Sequence, residues 1–430
     1  MGSRLQASPP QASNDIRIAD LANPILSDIE KQVIASAPRV VMSEEAVLAA
    51  ARSATGLSNF GPDDFRERLS VWLQSYAEDR GLNAMGRSMA FDGMVRYASN
   101  RLRIEDLLSR HPEILEVPLE RPIVIAGLPR SGTTHLVNLL ATRPDLRSMQ
   151  LWETMEPVPK PDEMSFEASE ANPRYRRSNE IWHVMNHVLR HWSAMHEWAP
   201  GHVHEEVELQ CFDFASYMPD WQARVPRWQR YYDEHDQTPH YAYARKVIQV
   251  MTWFKGPNRW VMKSPPNMEN LPALFTTYPD ATVIITHRDP VAVLQSAITM
   301  MAYLDRIRRD DLDLPGLAEY WIRRIERLLR ACVRDRDTVP QGQVIDVLFH
   351  EYMADERGTV ERVARAADLP MTDEAHRRMD EYLAANPRGK HGRVLYDLAG
   401  DFGVDVGALR RRFQFYYDRF PVQRERVKGE

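Results

Sequence analysis

The sequence predicts an α/β fold: a parallel sheet flanked by helices, preceded by a helical extension and interrupted by a helical, tryptophan-rich insertion. Three observations carry this reading. Two short apolar, β-branched runs, "RPIVIAG" and "DATVIITHRDP", each lead directly into a helical pattern, as buried parallel strands do. The stretch before residue 118 carries helix starts and stops without strand runs. Eight of the ten tryptophans fall between residues 150 and 260.

Taken in order, residues 1–20 are polar and are expected to be disordered. Residues 21–117 form the helical extension. "SEEAVLAAARSATG" opens with a capping-box pattern at Ser43 and stops at Gly56. "PDDFRERLSVWLQSYAEDRG" has acids at its start, apolar residues at helical spacing and Gly81 at its end. The second unit spans 118–430. After the strand "PIVIAG", "SGTTHLVNLLATRP" reads as a helix ending before Pro144. "NRWVMKSPP" reads as a strand and loop, "NMENLPALFTTYP" as a helix, and "VAVLQSAITMMAYL" as a helix with Asp289 as N-cap and Pro290 at its first position. "QGQVIDVLFHEY" supplies one further strand. Alternating strands and helices argue for a parallel sheet with helices on both faces. The insertion, about 150–257, lies over the sheet. Its segment "EMSFEASEANPRYRRSNE" suits a flexible lid.

Composition excludes several classes. The chain has 430 residues, 43% of them hydrophobic, and a formal net charge of −6. That balance argues against a nucleic-acid-binding protein, which needs a basic surface. Two cysteines, Cys211 and Cys332, cannot build a disulfide framework. The N-terminus has no secretory apolar core, and no run of roughly eighteen apolar residues predicts a transmembrane helix. A cytoplasmic protein is expected.

The chemistry centres on "GLPRSGTTH". Gly127 and Gly132 stand at the spacing of a P-loop, G-x-x-x-x-G-K-[ST], which makes the fold P-loop-like. The lysine position, however, holds Thr133, and the basic residue is Arg130, inside the loop. Backbone N–H groups at the following helix N-terminus bind phosphate-type anions. Ser131, Thr133 and Thr134 add hydroxyls, and the Arg130 guanidinium adds a planar fork suited to phosphate or sulfate oxygens. A P-loop ATPase also needs an acid that holds Mg²⁺. After "VIIT" come His287 and Arg288, and Asp289 is read as a cap, so the loop suits several phosphate charges held without a metal. His202 and His204 are spaced to ligate, but no HExxH or cysteine accompanies them, so no metal site is assigned.

Together "GLPRSGTTHL", "WVMKSPP" and "THRDPVAVLQS" resemble the sulfotransferases that use 3′-phosphoadenosine 5′-phosphosulfate. The likeness is greatest to bacterial members with an N-terminal helical extension and covers roughly residues 55–420. The resemblance implies an enzyme that moves a sulfuryl group to an acceptor alcohol or phenol and releases adenosine 3′,5′-bisphosphate. It places Arg130, Ser131, Gly132, Thr133 and Thr134 around the 5′-phosphosulfate, with Arg130 at the bridging oxygen. It places Arg288 and Ser296 at the 3′-phosphate. A late basic loop, "NPRGKHGRVLY", offers Arg388, Lys390, His391 and Arg393 to the nucleotide. Arg130 and Lys263 stabilise the leaving phosphate.

The general base departs from the family pattern. Where cytosolic sulfotransferases carry Lys-Thr-His, this chain has Lys263, Ser264 and Pro265, and Asn267 stands where many bacterial relatives have a later histidine. The candidates for the base are Glu153 in "RSMQLWETMEP" and the cluster His204, Glu205 and Glu206 in "HVHEEVELQ". The tryptophan-rich insertion is read partly as core and partly as an apolar acceptor pocket. A P-loop kinase or NTPase, and a non-catalytic nucleotide-binding protein, are the competing readings.

Overall fold

The computed structural model describes residues 15–256 and 258–428. The first fourteen residues of the expected disordered tail lie outside the described residues. Residues 15–20 differ from expectation. β1 (Asp15–Arg17) pairs in parallel with a late strand, Arg393–Leu395. Arg17 donates to both carboxylate oxygens of Asp401, at 2.7 and 2.5 Å, and Ile18 is buried. Three mostly polar residues carry no strand signal of their own; their order comes from a partner almost 400 positions away.

Four helices follow: α1 (Asp28–Ser36), α2 (Glu44–Thr55), α3 (Phe65–Glu78) and α4 (Ala84–Arg110). The full capping box belongs to α1, where Ser27 and Glu30 cap each other's backbone. Ser43 caps α2 through the Ala46 amide alone, and Gly56, at φ 70°, ends it as expected. Helix α3 stops at Glu78, three residues before Gly81.

The sheet begins with β2 (Ile123–Gly127), followed by α5 (Thr133–Ala141) and the two-residue β3 (Leu146–Arg147), which no sequence pattern announced. The insertion contributes α6 (Leu151–Met155), α7 (Pro173–Val188), α8 (Trp192–Met195), α9 (Val207–Gln210), α10 (Pro226–Glu234) and α11 (Thr238–Lys255). Then come β4 (Arg259–Lys263), α12 (Leu271–Thr277), β5 (Thr282–His287), α13 (Pro290–Arg308), α14 (Leu314–Asp335), β6 (Val344–Leu348) and, later, β7 (Arg393–Leu395). The five-stranded sheet is all parallel in the order β3-β4-β2-β5-β6. This is the predicted parallel α/β architecture.

Strand order positions the site. β2 is central, and all five of its residues are buried, which explains its unbroken apolar run. Its neighbours β4 and β5 end beside it, with Ile125 opposite Lys263 and Gly127 opposite Thr286. Lys263 and Arg288 therefore emerge on either side of the loop after Gly127, at the carboxyl edge where open α/β sheets bind ligands. A Cβ at Gly127 would collide with the Thr286 hydroxyl, and Gly132 sits at φ 85°, so both glycines are required by the backbone. Asp289 caps α13 as expected, accepting from the Val291 amide at 3.0 Å.

The helical extension and the insertion share one apolar cluster with part of the sheet. A buried ionic node ties them together. Asp213 accepts from Arg68 at 2.7 Å and Arg101 at 2.8 Å through one oxygen, and bonds His240 at 2.6 Å through the other. The expected lid at 163–180 is fastened instead of free. Arg177 bonds the carboxylates of both Glu156 and Glu163, and Arg174 donates to the Glu156 and Ser165 carbonyls. Among the described residues no helix is long and apolar enough to cross a membrane.

Candidate active site

The loop between β2 and α5 is held by its neighbours from both flanks. Arg130 adopts φ 67°, an uncommon value for a residue with a side chain. Its carbonyl accepts from Arg288 Nη1 at 2.5 Å, and its Nε donates to Ser296 Oγ at 3.0 Å. Ser296 in turn donates to Tyr396 at 3.0 Å. Arg130, Arg288 and Ser296, drawn from two separate motifs, are thus one hydrogen-bonded unit.

The loop hydroxyls divide. Ser131 Oγ is fully buried, donates to the Leu128 carbonyl at 2.6 Å and contacts Thr286 Oγ1 at 2.7 Å. Its amide donates to Leu128 as well. Ser131 therefore braces the loop against β5 and has no donor left for a ligand. The amides of Gly132, Thr133 and Thr134 have no acceptor among the described residues. Together with the start of α5 they form an open anion cradle.

Two spaces meet at this loop. A polar groove is lined by Arg130, Thr133, Thr134, His135, Arg288 and Lys390, among others. An apolar cavity on the insertion side is lined by Trp192, Trp198, Trp221, Met185 and Met300. Arg130, Thr133, Thr134 and His196 line both and form the wall between them. The other tryptophans of the insertion mostly serve packing: Trp152, Trp228 and Trp260 are buried in the interior, and Trp253 is 42% exposed.

Lys263, at the end of β4 and buried, donates to Thr134 Oγ1 at 3.1 Å and forms an ion pair with Glu205. Lys263, Arg130 and the cradle amides concentrate positive charge at one point, with Glu205 its single close carboxylate partner among the described residues.

The base candidates separate by position. Glu153 is not at the site. It closes a capping box on α6 by accepting from the Gln150 amide at 3.0 Å, and it pairs with Lys255 at 2.6 Å. It touches neither space, because the cap points it back into the protein. Glu206 is also turned away, taking a hydrogen bond from Asn267; burial pushes its carboxyl up to about 7. Asn267 is held in turn by Tyr241 at 2.7 Å. His204 and Glu205 do line the apolar cavity. His202 lines the groove instead, so the two histidines face different spaces.

The sequence reasoning missed His196. It is half-buried between two tryptophans, Trp192 and Trp198, at 5.9 and 6.4 Å between ring centroids. Burial holds its imidazole well below the ordinary range, reinforced by Arg130, His202 and Lys263. It is neutral at neutral pH. "WSAMHEW" contains no spacing that marks a site; only the fold carries this histidine to the loop.

The late basic loop is placed less favourably than expected. Arg388 is exposed and committed to Glu356 at 2.5 Å and the Met353 carbonyl at 2.9 Å. Lys390 faces the groove and donates to Asn386 at 3.2 Å. Arg393, in β7, and Arg388 line the adjoining space beside Gln295, Tyr396 and Glu425. Glu425 was not anticipated: it grips Arg288 through both carboxylate oxygens, at 2.7 Å each. Arg288 also stacks on Phe349, its guanidinium carbon 4.0 Å from the ring centre.

A central strand, a glycine loop and an open cradle at a helix N-terminus define an α/β protein whose loop has the geometry that suits a phosphate-type anion. The sulfotransferase family profile matches residues 122–373, more than half of the chain. The chain belongs to the sulfotransferase family. The crystal structure of sulfotransferase STF1 from Mycobacterium tuberculosis is 28% identical, with a TM-score of 0.77 over 86% of this chain and 98% of that one. Sulfotransferase STF9 from Mycobacterium avium is 25% identical, with a TM-score of 0.79 over 91% of this chain and 99% of that one. A comparison with the curated proteins gives no match.

Proposed function

We propose that the protein transfers a sulfuryl group from 3′-phosphoadenosine 5′-phosphosulfate to the hydroxyl of an apolar small molecule. The observation that carries this reading is the shared wall: Arg130, Thr133, Thr134 and His196 face a polar groove on one side and an apolar cavity on the other. A donor held in the groove presents its sulfate end to an acceptor held in the cavity.

The donor supplies a sulfur already activated by a phosphate leaving group. The chain supplies position and charge. The free amides of Gly132, Thr133 and Thr134 hold the 5′-end, and Arg130 and Lys263 take up the charge that grows on the leaving phosphate. Arg288 and Ser296, already joined to Arg130, hold the 3′-phosphate. The acceptor oxygen bonds to sulfur as the sulfur–oxygen bond to the 5′-phosphate breaks. His196, neutral and at the wall, takes the acceptor's proton, and adenosine 3′,5′-bisphosphate leaves. His204 and Glu205 line the same cavity; Glu205 is already held by Lys263, and His204 touches only the apolar side.

The test is product formation. Protein incubated with the donor and a panel of phenols, sterols and aliphatic alcohols yields a sulfated product detected by mass spectrometry. Absence of sulfated product across the whole panel, with the donor intact, counts against the reading and favours a non-catalytic nucleotide-binding protein.

A further inference from the structure

Helix α13 runs along the apolar cavity like a ruler. Ser296, near its start, bonds Arg130 at the wall. Met300 and Leu304 line the cavity at successive i, i+4 positions, and Arg308 lines it at the end of the helix. From Met300 to Arg308 the helix rises about 12 Å, so the cavity has a transfer end, beside Arg130, and a far end.

The far end is polar. Arg308 is buried; its Nη1 donates to the Trp221 carbonyl at 2.9 Å and its Nη2 to Asp305 at 2.8 Å. Its Nε is buried without a partner. Such an orphaned donor is destabilising unless something accepts from it. Gln222, which also lines the cavity, uses its Oε1 to accept from Tyr76 at 2.5 Å. That contact fixes the orientation of the amide, whose Nε2 has no acceptor among the described residues. Asp305 answers two cations, Arg308 and, at 3.3 Å, Arg224. The far end therefore carries two donors without partners among the described residues, on Arg308 and Gln222, beside an otherwise apolar space.

We infer that Arg308 and Gln222 select the acceptor: an elongated apolar alcohol that carries a carboxylate or carbonyl oxygen at the end away from the hydroxyl that reacts. The inference rests on the sulfuryl-transfer reading for which end reacts. The anchoring of the far oxygen is a matter of binding alone.

The experiment compares ω-hydroxydodecanoic acid with dodecanol by calorimetry, on the full chain saturated with adenosine 3′,5′-bisphosphate. The hydroxy acid binds at least about tenfold more tightly than the alcohol, the scale of one charged hydrogen bond. Gln222→Leu and Arg308→Lys, in whichever variant unfolds at the wild-type temperature, shrink that preference toward unity. Equal binding of the two probes to the wild type, or no binding of either, overturns the inference. Sulfate transfer is read separately on the same samples with the true donor: transfer without a binding preference removes the anchor and leaves the proposed function standing, and a preference without transfer does the reverse.

Discussion

Glu425, near the C-terminus, holds Arg288 edge-on through two hydrogen bonds of 2.7 Å. Its own amide is tied to Asp289 at 2.7 Å. The arginine assigned to a phosphate is thus already partnered by a carboxylate, on a segment that closes over the end of β5. Two of the five guanidinium N–H groups go to Glu425 and one to the Arg130 carbonyl, which leaves two for a ligand.

Glu425→Gln removes a negative charge next to the proposed 3′-phosphate. The mutant binds adenosine 3′,5′-bisphosphate more tightly, by up to about fivefold, since a partly exposed pair is worth at most about 1 kcal/mol. Binding of adenosine 5′-phosphate stays the same. Titration calorimetry with both ligands reads the difference.

Arg288→Ala acts in the opposite direction. It weakens adenosine 3′,5′-bisphosphate by about 2 kcal/mol, roughly thirtyfold, and weakens adenosine 5′-phosphate much less, through the lost brace on the Arg130 carbonyl alone. Equal losses for both ligands place Arg288 elsewhere than at the 3′-phosphate.

The pH profile reports on His196. Because burial and neighbouring cations depress its pKa, the imidazole keeps its basic form as pH falls through the ordinary histidine value of about 6.5. The acid limb of kcat/KM therefore lies below that value. His196→Ala lowers kcat by about a hundredfold or more and removes that limb, the scale of losing a general base. A limb unchanged in the mutant transfers the role to another group.

Stability has its own pH signature. Burial beside Lys263 pulls His202 down to about 4. A histidine depressed on folding binds more protons in the unfolded chain, so its contribution is present above about 6.5 and is lost as pH falls toward 4. The full contribution is of the order of 3 kcal/mol. His202→Gln flattens the fall of urea-unfolding free energy over that window.

Asp213→Ala strands Arg68 and Arg101 in the interior, where their exposures are 5% and 1%. Loss of one partner from a buried ionic node costs about 3–5 kcal/mol. Urea denaturation measures that loss, and the helical extension and the insertion loosen together because the node joins both.

Some of this was legible in the sequence and some was not, for identifiable reasons. The apolar runs of β2 and β5, Gly127 and Gly132, and the Asp289–Pro290 helix start carry local signals, and each sits where those signals put it. Arg130, Arg288 and Ser296 lie on distant motifs, yet they meet because β2 and β5 are neighbours. Glu153 misled because an acid three residues after a cap position serves the helix and not the site. Ser131 misled because a loop hydroxyl can brace its own strand. His196, Gln222 and Glu425 were invisible because their roles depend on which turns the insertion and the C-terminus bring to the loop, and no periodicity encodes that.

The central claim is that the loop with Arg130 in place of the P-loop lysine holds a nucleotide carrying a 3′-phosphate. Titration of the full chain with adenosine 3′,5′-bisphosphate, and separately with ATP and Mg²⁺, tests it most directly. The bisphosphate binds more tightly, with no dependence on Mg²⁺. Tighter binding of ATP with Mg²⁺ would contradict the account and return the loop to the kinases and NTPases.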